Sequence, residues 1–140
     1  MSERFAVRFP ACGRHLRPLR EWCRVYLARV LPRRALEELV LAVSEACANT
    51  IEHCLGGDAC RDVEVEFELR PGSVRARVRN FCLAAVAHRI RPRRPRAIRP
   101  RGLGLVFMEE CVDRLEYVDQ GDGFLSAVLT KRRKGGRRGH

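Results

Sequence analysis

Three observations predict an α+β fold: two runs of helical period in the first 54 residues, an alternating hairpin over 62–81, and two alternating stretches over 115–131. At 140 residues the chain suits one domain, large enough to bury a core without staples. Hydrophobic residues make up 46%, which fits a folded globule rather than a disordered segment.

Arg4–Phe9 alternates and reads as a short strand. Leu16, Leu19, Trp22, Cys23, Tyr26 and Val30 mark a first amphipathic helix, with Pro18 tolerated in its opening turn. A second helix runs from about Arg33 and stops at Gly56-Gly57. Its apolar stripe is Leu36, Leu39, Val40, Val43, Cys47, Ile51 and Cys54. Glu45, Asn49 and His53, each four residues apart, fall on the adjoining face. A carboxylate and an amide so displayed are what a phosphoryl-transfer site needs: a proton acceptor and a neutral oxygen ligand for Mg²⁺. The wet face of an ordinary amphipathic helix has the same look, so the spacing does not decide the matter by itself.

The next segment nearly dictates its own register. A turn at Pro71-Gly72 pairs residues whose numbers sum to 143, setting Glu68 opposite Arg75, Glu66 opposite Arg77 and Glu64 opposite Arg79. Each such cross-strand pair contributes about 0.2–1 kcal/mol. Val63, Val65, Phe67 and Leu69 then share the core face with Val74, Ala76, Val78 and Asn80. A slip of one residue would bury the charges. Asn80 is thus expected to point inward, where its amide needs a partner. Further on, Gly102 and Gly104 precede an apolar run through Asp113 that reads as a third, buried helix, and small residues at a helix entrance leave backbone N–H groups open to phosphate. Two strands close the chain, Leu115–Asp119 and Phe124–Lys131, joined by a turn over 120–123.

The net charge of +11 is concentrated in two places. Residues 88–101 hold seven arginines, three prolines and no acid, and residues 131–140 hold six basic residues and no acid. The remaining body is near neutrality, so the excess belongs to one loop and one tail. No apolar run approaches the length of a membrane span, and the first residues lack a secretory pattern, so a cytoplasmic protein with no membrane partner is expected. Seven cysteines with no C-x-x-C pair argue against a zinc site or a disulfide framework and for reduced, mostly buried thiols.

In order, these pieces resemble one family. The stretches VSEACANTIEH at 43–53 and RGLGLVFMEECVDRLEY at 101–117 are similar to the anti-sigma factor and serine-protein kinase branch of the histidine-kinase-like (Bergerat-fold) ATPases. The likeness implies a two-layer sandwich: a mixed, mostly antiparallel sheet of about five strands with three helices on one face. It implies an ATPase domain over 1–132, with 88–101 as an ATP lid, and a basic tail over 133–140. Glu45 sits where the family's general base lies, ready to take a proton from a serine hydroxyl. Asn49 matches the ligand of the Mg²⁺ held between the ATP phosphates, Asn80 the residue that binds the adenine amino group, and Arg101, Gly102 and Gly104 the second glycine box. His53 matches a position often histidine in this branch. The implied partners are a sigma factor and an anti-anti-sigma (STAS-type) protein, with a second copy of the chain suggested by likeness alone.

One box departs from the pattern. Asn80 stands where the family has aspartate, losing a charge worth about 1–2 kcal/mol in a charge-assisted bond. Cys82 stands where it has glycine, and a Cβ there obstructs close approach of backbone to base. Two other functions therefore stand beside the kinase: a protein-binding module that keeps the scaffold without productive ATP binding, and a nucleic-acid binder using the arginine-rich loop and tail. The loop has no interleaved aromatics to stack on bases, which counts against the last.

Overall fold

A computed structural model of the chain describes residues 3–82 and 107–133. Alternation builds the sheet as the sequence predicts. Strand β1 (Glu3–Pro10) pairs with β2 (Asp62–Leu69), and β2 with β3 (Ser73–Phe81). The closing strands β4 (Arg114–Asp119) and β5 (Leu125–Arg132) pair with each other, and β5 slots in beside β3. The order is β1-β2-β3-β5-β4, and all four pairings are antiparallel.

The central hairpin takes the expected register, with Glu66 opposite Arg77 and Glu68 opposite Arg75. Arg79 reaches Glu66 at 3.3 Å and Glu64 at 3.9 Å, while Arg8 and Arg4 of β1 meet Glu64 and Glu68 at 3.2 and 3.4 Å. These partly exposed pairs each contribute little. The opposite face carries the weight: Val63, Val65, Phe67, Val74, Ala76 and Val78 are all buried, with Ala127 and Leu129 continuing the layer on β5.

Helix α1 (Leu16–Leu27) buries Leu19, Cys23 and Leu27, one stripe at helical spacing. Trp22 and Tyr26 lean outward onto Phe5, with ring centroids 5.5 and 4.8 Å away, and so cover the edge of the sheet. Helix α2 (Arg33–Asn49) lies across the middle of the core through Leu36, Leu39, Val40, Val43, Ala46 and Cys47. It then widens into one π turn (Thr50–Cys54), in which the Leu55 N–H donates to the Thr50 carbonyl. Gly56 and Gly57, at φ of 62° and 68°, end it. Residues 107–111 are helical and, as α3, place Met108 and Cys111 in the same core. Lys131 of β5 is 5% exposed; its Nζ donates to Glu38 of α2 at 2.6 Å and to the Cys111 carbonyl at 2.7 Å. One buried ammonium thus ties α2, α3 and the sheet together.

Candidate functional site

The second half of α2 presents the predicted pair. Ala42, Val43, Ala46 and Cys47 hold the helix against the sheet, which leaves Glu45 half-buried at the margin of the core. Burial, and then the charge of Glu52 seven residues on, push the Glu45 carboxyl above the ordinary glutamate value. A raised carboxyl accepts a proton more readily, which is the property a general base requires.

Asn49, one turn further, is 3% exposed, and its amide makes no hydrogen bond among the described residues; its Nδ2 is buried without a partner. A buried amide in that state forgoes about 1–3 kcal/mol. Neighbours do not relieve it, since the Thr50 hydroxyl is spent on the Ala46 carbonyl at 2.9 Å. An amide oxygen beside a carboxylate suits Mg²⁺, which takes one or two protein oxygens and fills its remaining positions with water and phosphate. The residues present fit that end of an ATP complex.

His53 lies within the π turn, where the wider winding alters the angular step that follows Asn49. Its Nε2 is 3.8 Å from Glu52 Oε1. Glu52 was absent from the sequence-based set, although its spacing of seven from Glu45 puts both on one helix face. Arg101, Gly102, Gly104 and the arginine-rich stretch 88–101 lie outside the described residues. Their nearest described neighbour in sequence is α3, whose Met108 and Cys111 belong to the same core cluster as the apolar face of α2.

Asn80 corrects the reading made from strict alternation. The register between β3 and β5 shifts between Val78 and Phe81, because Val78 pairs with Ala127 and Phe81 with Leu125. Two residues, Arg79 and Asn80, therefore span the position opposite Ser126 alone, a bulge with Asn80 at φ of 63°. Phe81 takes the inward place, fully buried and stacked on Tyr117 with centroids 5.5 Å apart. A large aromatic gains far more from the core than an amide does, and asparagine is among the few residues that tolerate the left-handed conformation. Asn80 is turned instead toward Gln120, whose Oε1 accepts the Asn80 N–H at 2.7 Å and whose Nε2 donates to Asn80 Oδ1 at 3.2 Å. Ser126 donates to the same Oε1 at 3.1 Å. Asn80, which the resemblance assigns to the base end of an ATP site, thus faces Gln120 rather than the core in this arrangement.

A second correction concerns the cysteines. Cys54, closing the π turn, and Cys82, just after β3, form a disulfide with Cα atoms 5.5 Å apart. Five others are free, of which Cys23, Cys47 and Cys111 are buried as expected. Spacing in the sequence carries no signal for this pair; only the meeting of the helix end with the strand end creates it.

Among known proteins, the profile of the histidine kinase-like ATPase domain matches residues 9–128. The chain belongs to the histidine kinase-like ATPase domain family. Its relatives include the serine-protein kinase RsbW of Listeria innocua, 31% identical over 106 residues, which cover 69% of this chain and 66% of that protein. RsbW of Listeria monocytogenes matches to the same extent. The chain thus spans 66% of the length of these curated relatives. The fold matches the structure of the RsbU and RsbW domains of Rv1364c from Mycobacterium tuberculosis, with a TM-score of 0.67 over 93% of this chain and 32% of that one, at 23% identity. The five strands, the helices on one face and the sequence likeness agree with the anti-sigma and serine-protein kinase branch of the histidine-kinase-like ATPases.

Proposed function

We propose that the protein is an anti-sigma factor that binds ATP and phosphorylates a serine on an anti-anti-sigma (STAS-type) antagonist, acting in the cytoplasm. The observation that carries the reading is the buried, unpartnered amide of Asn49 one turn from the raised carboxyl of Glu45. In this reading Asn49 Oδ1 holds Mg²⁺, and Arg101, Gly102 and Gly104 supply the phosphate-binding turn. Bound Mg²⁺ neutralises phosphate charge. Glu45 orients the serine hydroxyl and takes its proton as the oxygen attacks, while the core packing of α2 fixes both side chains in place. The sigma factor is the sequestered partner.

Incubation with the cognate antagonist and labelled ATP is expected to transfer label to one serine, and Glu45→Ala to abolish transfer while nucleotide binding persists. Transfer at the wild-type rate by Glu45→Ala would remove Glu45 from the role of base.

A second reading is favoured by the turn of Asn80 toward Gln120 and by Cys82 standing in the place of glycine. In it the scaffold captures a protein partner without productive ATP binding. Partner affinity indifferent to added nucleotide supports this version, and strong dependence on nucleotide speaks for the kinase.

A further inference from the structure

The Cys54–Cys82 bond joins two parts of the proposed site. Cys54 ends the turn that follows Glu45 and Asn49, and Cys82 lies two residues beyond Asn80, the two cysteines standing 28 positions apart in sequence. Both are partly exposed, so a dithiol can reach the bond. The buried thiols differ: burial pushes Cys23 up to about 12 and raises Cys47 well above its ordinary value, which leaves both inert. Redox chemistry is thus directed away from the core cysteines.

The end of β3 is held from two sides. On one side is the disulfide to the helix; on the other is Gln120, whose orientation is fixed by what it meets. Its Oε1 takes the backbone N–H of Asn80, a group that can only donate, and its Nε2 faces the Asp122 carboxylate at 3.3 Å. Asn80 must therefore present Oδ1 to Gln120, and it does so within the bulge that the tether at Cys82 follows directly. The carbonyl oxygen able to accept from an adenine amino group is turned toward Gln120 and spends one of its two lone pairs there while the strand end is held in this way. Opening the disulfide releases Cys82, and with it the end of β3, from the helix end at Cys54. Cys82 Sγ lies 3.5 Å from the His53 carbonyl, so the reduced pair can stay close enough to close again.

We propose that Cys54–Cys82 is a thiol–disulfide switch on the nucleotide site, with the disulfide form binding ATP weakly and the dithiol form binding it tightly. The inference rests on the ATP-binding reading above. A cytoplasmic setting supports it, since disulfides there are mostly transient and redox-sensing. In the forward step a dithiol reductant of the thioredoxin class attacks the Cys54–Cys82 bond. That bond breaks, a disulfide forms in the reductant, and two electrons with two protons pass to the cysteines. A small disulfide such as oxidised glutathione reverses the exchange and leaves as two thiols.

The test titrates ATP with Mg²⁺ into the oxidised and the dithiothreitol-reduced full chain, with the redox state read from intact mass as a gain of two hydrogens. Reduction is expected to tighten the dissociation constant by about tenfold, within the usual range of coupling between linked sites. Reoxidation should restore weak binding, while Cys54→Ser and Cys82→Gly bind tightly under both conditions. Equal and measurable affinities in the two states overturn the switch and leave the ATP reading standing. Binding in neither state, nor in Cys82→Gly, overturns both. A wild-type chain that keeps both thiols after treatment with oxidised glutathione also sinks the proposal, whatever its affinity.

Discussion

Lys131→Met is the perturbation that bears most directly on how α2 and α3 are joined to the sheet. The ammonium donates to Glu38 at 2.6 Å and to the Cys111 carbonyl at 2.7 Å, and Lys131 is 5% exposed. Methionine nearly preserves the volume but leaves a buried carbonyl without its donor, at a cost of about 1–3 kcal/mol. Stripping a fully buried carboxylate of its cation would add about 3–5 kcal/mol. Glu38, however, retains 32% side-chain exposure and has the Arg34 guanidinium at 3.5 Å, so it can turn toward solvent and a second cation. The ionic part then falls to surface scale, about 1 kcal/mol, for a total of about 2–4 kcal/mol. Urea unfolding followed by Trp22 fluorescence measures it, since this single tryptophan packs on Phe5 and Phe67. The midpoint should fall with the slope unchanged. Adding Glu38→Leu should return the ionic part, about 1 kcal/mol, because the orphaned charge goes with it while the Cys111 carbonyl stays without its donor. A loss below about 0.5 kcal/mol would refute the claim that this ammonium ties α2 and α3 to the sheet.

Glu45→Gln removes a carboxyl whose proton is held more tightly in the folded chain than in the unfolded one. Stability of the wild type therefore falls as pH rises through the window from the ordinary glutamate value to the raised one, and stays lowered above it. The advantage of the glutamine variant should grow over that window and then level off in urea midpoints taken between about pH 4 and pH 7, and parallel profiles would contradict the shift. Gln120→Ala should lower stability by about 1–2 kcal/mol in the same assay, since the Asn80 N–H and the Ser126 hydroxyl both lose an acceptor, and an unchanged midpoint would mean that water replaces it without loss. Reduction of Cys54–Cys82 should cost about 2–4 kcal/mol, as expected for a loop of this length, and Cys54→Ser should abolish the difference between oxidising and reducing urea curves.

Local pattern made much of this fold legible. The hairpin register follows from one turn and one alternating run, because any slip would expose Val65 and Phe67 and bury Glu66 and Arg77. The Glu45/Asn49 row was equally readable, because helical spacing alone puts both on one face. Non-local effects were not legible. Alternation carries Asn80 inward, and only the pairing of β3 with β5, a strand some fifty residues later, shows that Phe81 takes the place. The π turn at Thr50–Cys54 hides behind a continuous helical period. Leu27, missing from the expected stripe of α1, is fully buried, whereas Tyr26 stays 40% exposed against Phe5, a choice set by the neighbouring strand rather than by the helix. Glu38 and Lys131, 93 positions apart, give no sign in sequence of meeting.

The central claim is that the unpartnered Asn49 amide and the Glu45 carboxyl form the metal end of a nucleotide site. Calorimetric titration of ATP into the reduced chain, with and without Mg²⁺, on the wild type and on Asn49→Ala, tests it most directly. Micromolar-range binding that needs Mg²⁺ and weakens at least about tenfold in Asn49→Ala is the expected result, that factor being about 1.4 kcal/mol. No heat at millimolar ATP, or one affinity shared by both proteins, contradicts it.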